Sequence, residues 1–304
     1  MAINRASIAK QLLPGLNAVF GIEYGEVADE YSVLYEVENS DRAFEEEVLF
    51  TGFGEAPVKG EGAAVQYDNA QESYTSRYVA ETIALAFSVT EEAMEDNLYD
   101  TFAKLRARGL ARSMASTKQT KAAQTFNQGF AAAVTGGDGQ PMFSASHPTV
   151  GDGSQSNLIG TTGTVDLSEA ALETALVSIQ TLKDDRGILI GAGAVSLHVA
   201  PSNQFTADRV LNSPYQSNTA DNNINSINHQ GMLPSGYMVN KRFSDPDAFF
   251  IKTDVPNGAK MFIRAPLATK MEPDFDTGNL RFKARERYSF GWSDWRGYFG
   301  SQGA

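Results

Sequence analysis

Apolar and polar positions change period several times along this chain, and each change marks an element. From Thr90 to Phe130 the period is helical. Met94, Leu98, Phe102 and Leu105 recur at spacings of four and three, and Leu110 and Met114 continue the stripe on a slightly rotated face. Ser88 with Glu91, or Thr90 itself, supplies an N-cap, and Glu91, Glu92, Glu95 and Asp96 crowd the first turns. Lys104, Arg106, Arg108, Arg112, Lys118 and Lys121 then suit the negative end of the macrodipole. Thr135-Gly-Gly-Asp-Gly-Gln-Pro cannot continue a helix. At about 1.5 Å per residue the segment would reach about 60 Å. A compact core does not hold such a length, so it needs a kink near Gly109 or an extended plate beneath it.

The plate is legible at the other end of the chain. From Leu280 to Trp292 the period is two: Leu280, Phe282, Ala284, Tyr288, Phe290 and Trp292 alternate with Arg281, Lys283, Arg285 and Arg287. Glu286 is the one polar residue on the apolar side. Asp276-Thr-Gly-Asn279 is a turn signal, and Ala268 to Met271 is the expected hairpin partner. A long hairpin with one apolar face is the floor that a long amphipathic helix requires, which favours a gently bent helix over a kinked one.

The remaining elements are shorter. Residues 1 to about 47 read as an arm. A brief amphipathic piece (Ile8, Leu12, Leu13, Leu16, Val19, Phe20) precedes an acidic tract from Glu36 to Glu47, with too few apolar residues for a private core. Two readings stay open here: a loosely packed terminus, or an extended arm ordered by lying on a neighbour. Val48 to Val89 is strand-like, with alternating Ile83, Leu85, Phe87 and Val89 after a polar, Gly-rich tract around Lys59 and Glu61. Two extended runs flanking such a tip predict a long projecting hairpin.

Beyond the loop Gly136 to Ser156, Asp166 and Glu169 stand at capping-box spacing before a helix with Leu167, Leu172, Leu176, Ile179 and Leu182 on one face. Ile188-Leu-Ile, Val195-Ser-Leu-His-Val, Tyr237-Met-Val, Ala248-Phe-Phe-Ile and Lys260-Met-Phe-Ile read as short strands, and Pro201 to Asn212 as a helix. Helix and strand alternate loosely, giving a mixed α/β unit over about 165–262.

Composition narrows the function classes. The 304 residues, 42% of them hydrophobic, can bury a sizeable core, and the absence of Cys excludes disulfides and thiolate metal sites. A net charge of −12 argues against a general nucleic-acid grip. No run approaches a membrane span, and the N-terminus lacks a secretory pattern. The three histidines show no helical metal spacing, no Gly-x-Ser-x-Gly elbow is present, and Thr135-Gly-Gly-Asp-Gly lacks the residues of a phosphate loop. His147, in the loop Ser144-Ala-Ser-His-Pro, reads by default as a surface histidine, and His198 as half-buried on a strand. A soluble hydrolase or metal-dependent enzyme would have to use His147 with Asp138 or Asp152. The stripe Arg281, Lys283, Arg285 and Arg287 reads as a solvated strand face, a nucleic-acid strip, or a surface that pairs with acidic residues of an adjacent subunit.

Taken in order, these elements resemble the major capsid proteins of tailed bacteriophages, with the Hong Kong-type capsid fold. Thr135-Gly-Gly-Asp-Gly-Gln-Pro-Met-Phe-Ser-Ala-Ser-His-Pro, Val195-Ser-Leu-His-Val-Ala-Pro-Ser-Asn and Arg285-Glu-Arg-Tyr-Ser-Phe-Gly-Trp are similar in wording to the Mu-type head subunit. The resemblance implies an α+β fold with an N-terminal arm (1–47) and an extended β-hairpin loop (48–81). It implies a peripheral domain (82–164) with a spine helix at 90–130 over a long antiparallel sheet. A mixed α/β axial domain (165–262) would follow, with a return to the peripheral domain (263–304) and a hairpin tip at Pro273 to Asn279. The implied function is a non-enzymatic shell protein without cofactor, forming pentamers and hexamers around phage double-stranded DNA, assembled in the host cytoplasm and retained in the virion. Lys59, Glu61, Arg281, Lys283, Arg285 and Arg287 are the expected subunit-interface residues. Scaffolding, portal and decoration proteins are the expected partners, with scaffold outside this chain because no such segment precedes the arm. Some family members form a Lys–Asn isopeptide between subunits; Lys59 is the only lysine near the loop tip, and no acceptor is identified. A nanocompartment shell around a cargo enzyme is the alternative role on the same fold.

Overall fold

The computed structural model describes residues 5–90, 92, 99–151, 153–216, 223–274 and 277–304. Its organising unit is a hairpin of β10 (Ala259–Pro273) and β11 (Leu280–Trp292), antiparallel from Ala259 opposite Trp292 to Pro273 opposite Leu280. β4 (Glu81–Val89) flanks β11 antiparallel, and β1 (Glu36–Asn39) flanks β10 in parallel, so the sheet order is β1-β10-β11-β4. The period-two pattern sets the faces. Leu280, Phe282, Ala284, Glu286 and Tyr288 are buried, while Arg281, Lys283 and Arg285 are exposed. The register of β10 shifts between Ile263 and Ala268, where Pro266 has no N–H to give to a ladder.

Helix α3 (Tyr99–Asn127) lies on the buried face. It runs unbroken through Gly109 and ends at Asn127, three residues before the expected Phe130, where a turn brings Gly129 against Phe143. The expected capping residues 91 and 95–96, with Met94 and Leu98, lie outside the described residues. The stripe itself needs correction. Leu105 is 63% exposed, and the buried positions are Ala103, Ala107, Leu110, Ala111, Met114, Ala115, Ala122, Ala123 and Phe126. Small residues dominate because the helix is covered closely from two sides.

One cover is the sheet; the other is the N-terminal segment. Arg5–Glu26 forms helix α1, neither a loose terminus nor an extended arm, and it packs along α3 of its own chain. Leu16 and Phe20 are buried against Ala103, Ala107 and Phe282, each worth roughly 1.5–3 kcal/mol relative to exposure. Asn17 accepts from Thr269 Oγ1 at 2.7 Å, and Glu23 takes Arg108 at 3.2 Å and Arg112 at 2.9 Å. A short helix α2 (Tyr31–Leu34) follows, and Leu34 and Tyr35 enter a second core with Phe126 and Tyr288. The arm lacks a private core because it shares one with the spine.

A two-residue pair, β5 (His147–Pro148) with β6 (Ser154–Gln155), stands apart, and the second sheet has the order β12-β9-β7-β8, from β7 (Ala194–Val199), β8 (Tyr237–Val239), β9 (Phe249–Thr253) and β12 (Tyr298–Ser301). Helices α4 (Glu169–Gln180), α5 (Gln204–Asn212) and α6 (Ser226–Gln230) accompany it. Leu172, Leu176 and Ile179 of α4 join Leu197, Phe249 and Ile251 in the third core. Three expectations change here. Ser168, not Asp166, caps α4, its side chain accepting from the Ala171 amide. Ile188 to Ile190 is no buried strand: Leu189 is exposed and makes only an isolated bridge to Lys183. Lys260 to Ile263 belongs to β10 of the first sheet, so no strand boundary falls at 262/263, and the chain end 298–301 returns to the second sheet.

His198 is fully buried rather than half-buried, with Ser196 Oγ 2.9 Å from its Nε2. Burial, with a smaller contribution from the Lys252 charge, pushes its imidazole down to about 3.

The two sheets meet at an aromatic junction in which Phe143 stacks on Phe250 at 5.1 Å and Phe126 meets Tyr298 edge-on at 4.9 Å. Gly258 and Gly297 cross there, and a Cβ on Gly297 would stand 2.5 Å from the Gly258 Cα. Gly297→Ala is therefore expected to cost about 1–3 kcal/mol or more in a denaturant titration, since backbone must move. Gly109→Ala, in a helix interior with nothing within 4 Å of the added methyl, should instead gain about 0.5–1 kcal/mol. His198 gives a pH signature. Its folded pKa lies below the unfolded value, so the unfolded chain binds the extra proton and stability falls as pH drops from about 6.5 towards 3. Urea midpoints across that window should show a shallower slope in His198→Gln than in the unmodified chain.

Candidate functional site: the assembly surfaces

Three groups of side chains stand out in this fold, two on its surface and one inside it. The first is the projecting hairpin. β2 (Phe44–Phe50) pairs with β3 (Glu72–Val79) from Phe44 opposite Val79 to Phe50 opposite Glu72, and the chain between them, 51–71, forms no strand. Its base is fastened. Thr51 exchanges hydrogen bonds with Gln71, whose carbonyl accepts both the Thr51 amide and hydroxyl at 2.9 Å. Asp68 accepts from the Gly54 amide at 2.7 Å and from Arg186 at 2.9 Å through both oxygens. The Gly54 amide foremost, then the Asn69 amide and Arg186, hold the Asp68 carboxyl below its usual range.

Past this clamp the loop is open. Lys59 and Glu61 are exposed at a turn in which the Ala63 amide donates to the Gly60 carbonyl and Gly62 takes φ +77°. Phe53, Val58, Val65 and Tyr67 are also exposed, Val58 fully. Several large apolar groups standing in water on one loop mark an interaction surface.

The second group is the outer face of the first sheet. Arg281, Lys283, Arg285 and Arg287 all lie on it, brought together as the alternation predicted. Arg281 is held by Asp274 at 2.5 Å, and Lys270 pairs with Glu272 across from it. Lys283 stands directly opposite Lys270, and Arg285 between Ala268 and Ala84. Lys59 and Glu61 sit on the separate loop, in no contact with this stripe within one chain among the hydrogen bonds and ion pairs of the described residues.

The third group, on the buried face, was missed as a cluster although Glu286 marked it. Glu286, 1% exposed, receives Lys118 Nζ of α3 at 2.7 Å. Tyr24 accepts from Lys118 at 2.6 Å and donates to Glu286 at 3.2 Å. The ammonium lies within 5.3, 5.8 and 5.4 Å of the Tyr24, Tyr31 and Tyr288 rings. Burial first, then the Glu286 charge, raises the phenols of Tyr24 and Tyr288 far above their ordinary range, so both stay protonated, Tyr24 as a hydrogen-bonding group and Tyr288 with its hydroxyl buried and no partner among the described residues. The cage joins spine helix, sheet and N-terminal segment at one point.

The enzymatic alternative can be read directly. His147 is not on the surface: it is fully buried, its ring stacked on Trp295 at 4.5 Å and 4°. Asp138 Oδ2 lies 2.6 Å from Nδ1, so that pair does form. Nε2, however, faces Asn157 Oδ1 at 3.1 Å, and Asn157 spends its amide protons on the carbonyls of Met142, Trp295 and Tyr298. Both ring nitrogens are committed to the fold. Asp152 lies outside the described residues. Among the described residues no group of three His, Asp or Glu stands close enough to hold a metal, and no helix is long and apolar enough to cross a membrane.

A clamped projecting loop, a spine helix on a two-sided hairpin and a mixed α/β unit define a shell-building class of subunit. A model of a phage capsid protein family matches residues 72–299, and the chain belongs to that family. It is a structural major capsid protein with the Hong Kong-type fold, and its place is the virion. Among solved structures it is similar to the capsid of a native GTA particle (15% identity, 90% of each chain, TM-score 0.57). The procapsid of bacteriophage JBD30 is also similar (12% identity, 98% of this chain and 76% of that one, TM-score 0.53). So is a virus-like particle from Pyrococcus furiosus (10% identity, 95% and 98%, TM-score 0.52). No curated protein matches the chain.

The cage yields a stability test. Glu286→Ala should cost about 3–5 kcal/mol because it strands a buried ammonium. Lys118→Met with Glu286→Leu should recover most of that loss in equilibrium unfolding. A double variant as unstable as the single one would mean that packing, not charge, dominates the site.

Proposed function

We propose that copies of this chain assemble, as pentamers and hexamers, into the icosahedral head of a tailed phage around its double-stranded DNA. The observation that carries this reading is the loop 51–71, rigid at its base and exposed in its apolar residues beyond it. A monomer gains nothing from such a structure; a neighbour's surface would bury it. Lys59, Glu61, Arg281, Lys283, Arg285 and Arg287 are the interface residues of this proposal. In it, residues 48–81 act as the extended loop, 82–164 and 263–304 as the peripheral domain, and 165–262 as the axial domain near the local symmetry axis. Helix α1 would line the subunit's own spine instead of reaching out as an arm.

The net charge of −12 suits a wall that encloses DNA without gripping it, since like charges repel at close range. Scaffolding, portal and decoration proteins would be its partners, assembly would take place in the host cytoplasm, and no catalytic step is assigned. The match to a phage capsid family supports a head over a cargo-enclosing compartment.

Electron microscopy of the expressed protein tests the reading. Closed shells, or rings of five and six subunits, are expected. A strictly monomeric species at high concentration, in both low and high salt, would overturn it.

A further inference from the structure

The turn between β9 and β10 is built under two separate demands. Val255-Pro256-Asn257-Gly258 has the residue order of a type II turn, with Pro second and a left-handed residue third. Asn257 fills that third place at φ +61°, and among the described residues it is the only one other than glycine with positive φ. Asparagine tolerates this region because its side chain is short and polar. The next position answers to the crossing of the two sheets. Gly258 is buried, and a Cβ there would stand 3.0 Å from the Gly297 Cα. The turn asks for Asn and the crossing asks for Gly, and together they make the one Asn–Gly step in the 304 residues.

That step has a chemistry of its own. The backbone nitrogen that follows an Asn can close a five-membered ring on the side-chain carbonyl carbon, and a glycine there puts no side chain in the way. The Asn257 amide is exposed and has no hydrogen-bond partner among the described residues, so nothing holds it away from the main chain. The backbone is what resists. The Asp294 amide donates to the Asn257 carbonyl at 2.8 Å, and the Ser293 amide to the Gly258 carbonyl at 3.0 Å. Ring closure rotates the peptide plane between these two carbonyls, so the pair of bonds must open first.

We propose that Asn257 is a self-modification site whose conversion is gated by opening of the Gly258–Gly297 crossing. Water is the one co-reactant. The Gly258 nitrogen gives its proton to solvent and attacks Asn257 Cγ. The N–Cγ bond forms, the Cγ–Nδ2 bond breaks, and the side-chain nitrogen takes up a proton and leaves as ammonia. Water then opens the cyclic imide at one of its two carbonyls. Opening at Cγ leaves aspartate. Opening at the backbone carbonyl leaves isoaspartate, in which the chain runs through Cβ and Cγ. Either product adds a negative charge beside Asp294. Isoaspartate also lengthens the main chain by one atom where Gly258 and Gly297 leave no room, and it turns the carbonyl that held the Asp294 amide into a free carboxylate. The closed junction protects the step, and a subunit that has reacted closes less well.

Incubation of the full chain at mildly alkaline pH, followed by peptide mapping, tests it. The peptide carrying residue 257 should gain the mass of an amide-to-acid exchange, in aspartate and isoaspartate forms. The gain should be roughly tenfold or more slower in the native chain than in urea, because the native step waits for a local opening. Gly297→Ala, which forces the crossing apart, should speed the native reaction severalfold and leave the rate in urea unchanged. Asn257→Gly keeps a left-handed residue and removes the amide, so it should fold with a midpoint close to that of the unmodified chain and show no gain at the turn. Chains recovered with isoaspartate should have a lower urea midpoint than unreacted chains. A native chain that never converts while the unfolded chain does so fully would overturn the site. Equal rates in the two states, or a native rate that Gly297→Ala does not move, would overturn the gating. An unmoved midpoint in the isoaspartate chain would overturn its link to the crossing.

Discussion

Everything in this subunit hangs on the two-faced strand β11. Its side chains alternate between a core and a charged surface, so a slip of one residue would expose Phe282 and Tyr288 and bury Arg281 and Lys283. Apolar burial alone holds that register, and Glu286 adds a specific lock. It is the single carboxylate on the buried side, and only the observed register sets it against Lys118. An ion pair of this kind need not add net stability over an apolar one; what it adds is a penalty for misalignment. The same cage receives Tyr24 and Tyr31, so the N-terminal segment docks on the point where spine and sheet meet.

A second constraint runs from the core to the loop through one turn. Asp184, Asp185 and Arg186 are consecutive and face different parts of the molecule. Asp185 receives buried Arg296 at 2.5 Å, Asp184 caps the amides of Arg186 and Ile188 at 2.8 Å, and Arg186 grips Asp68. Arg296 also donates to the Lys183 carbonyl at 3.0 Å, and its neighbour Trp295 stacks on His147. The polar residues that resembled catalytic pieces thus form the joint that fixes the loop's base against the second sheet. In this joint the hydrogen bonds of His147 and Asp138 are taken up by the fold.

Much of this was legible in the sequence where a period was long and simple. The alternation from Leu280 to Trp292 and the strand Ile83 to Val89 each rest on a repeated pattern and are present, and the spine helix is present over Tyr99–Asn127. The failures share a cause. The spine's buried stripe is built on Ala, whose apolar character is too weak to stand out, so Leu105 was placed in the core and Ala107 was not. Ile188 to Ile190 is apolar enough for a strand, yet has no partner strand beside it. His147 sits in a loop by composition, and only folding brings Asp138, Asn157 and Trp295 around it. The charged residues of the outer face divide in the same way: their alternation followed from local pattern, whereas the like-charge pairing of Lys283 with Lys270 needed the register.

A shell places a condition on such surfaces that a monomer does not. Exposed ion pairs contribute only about 0.2–1 kcal/mol each, and salt weakens them further. A contact made of a few carboxylates on a few cations, with small apolar patches between, is therefore weak on its own and easily undone. Repeated around every subunit of a closed surface it becomes strong, because no single loop can leave without all of its neighbours' contacts still holding that subunit in place. Weak individual contacts let a misplaced subunit dissociate before the shell closes. The rigid parts of the fold set the angle of the loop base through Asp68 and Arg186. On β11 the buried cage and the exposed stripe stand back to back: one strand carries an ion pair closed inside the subunit and a charged face open to solvent.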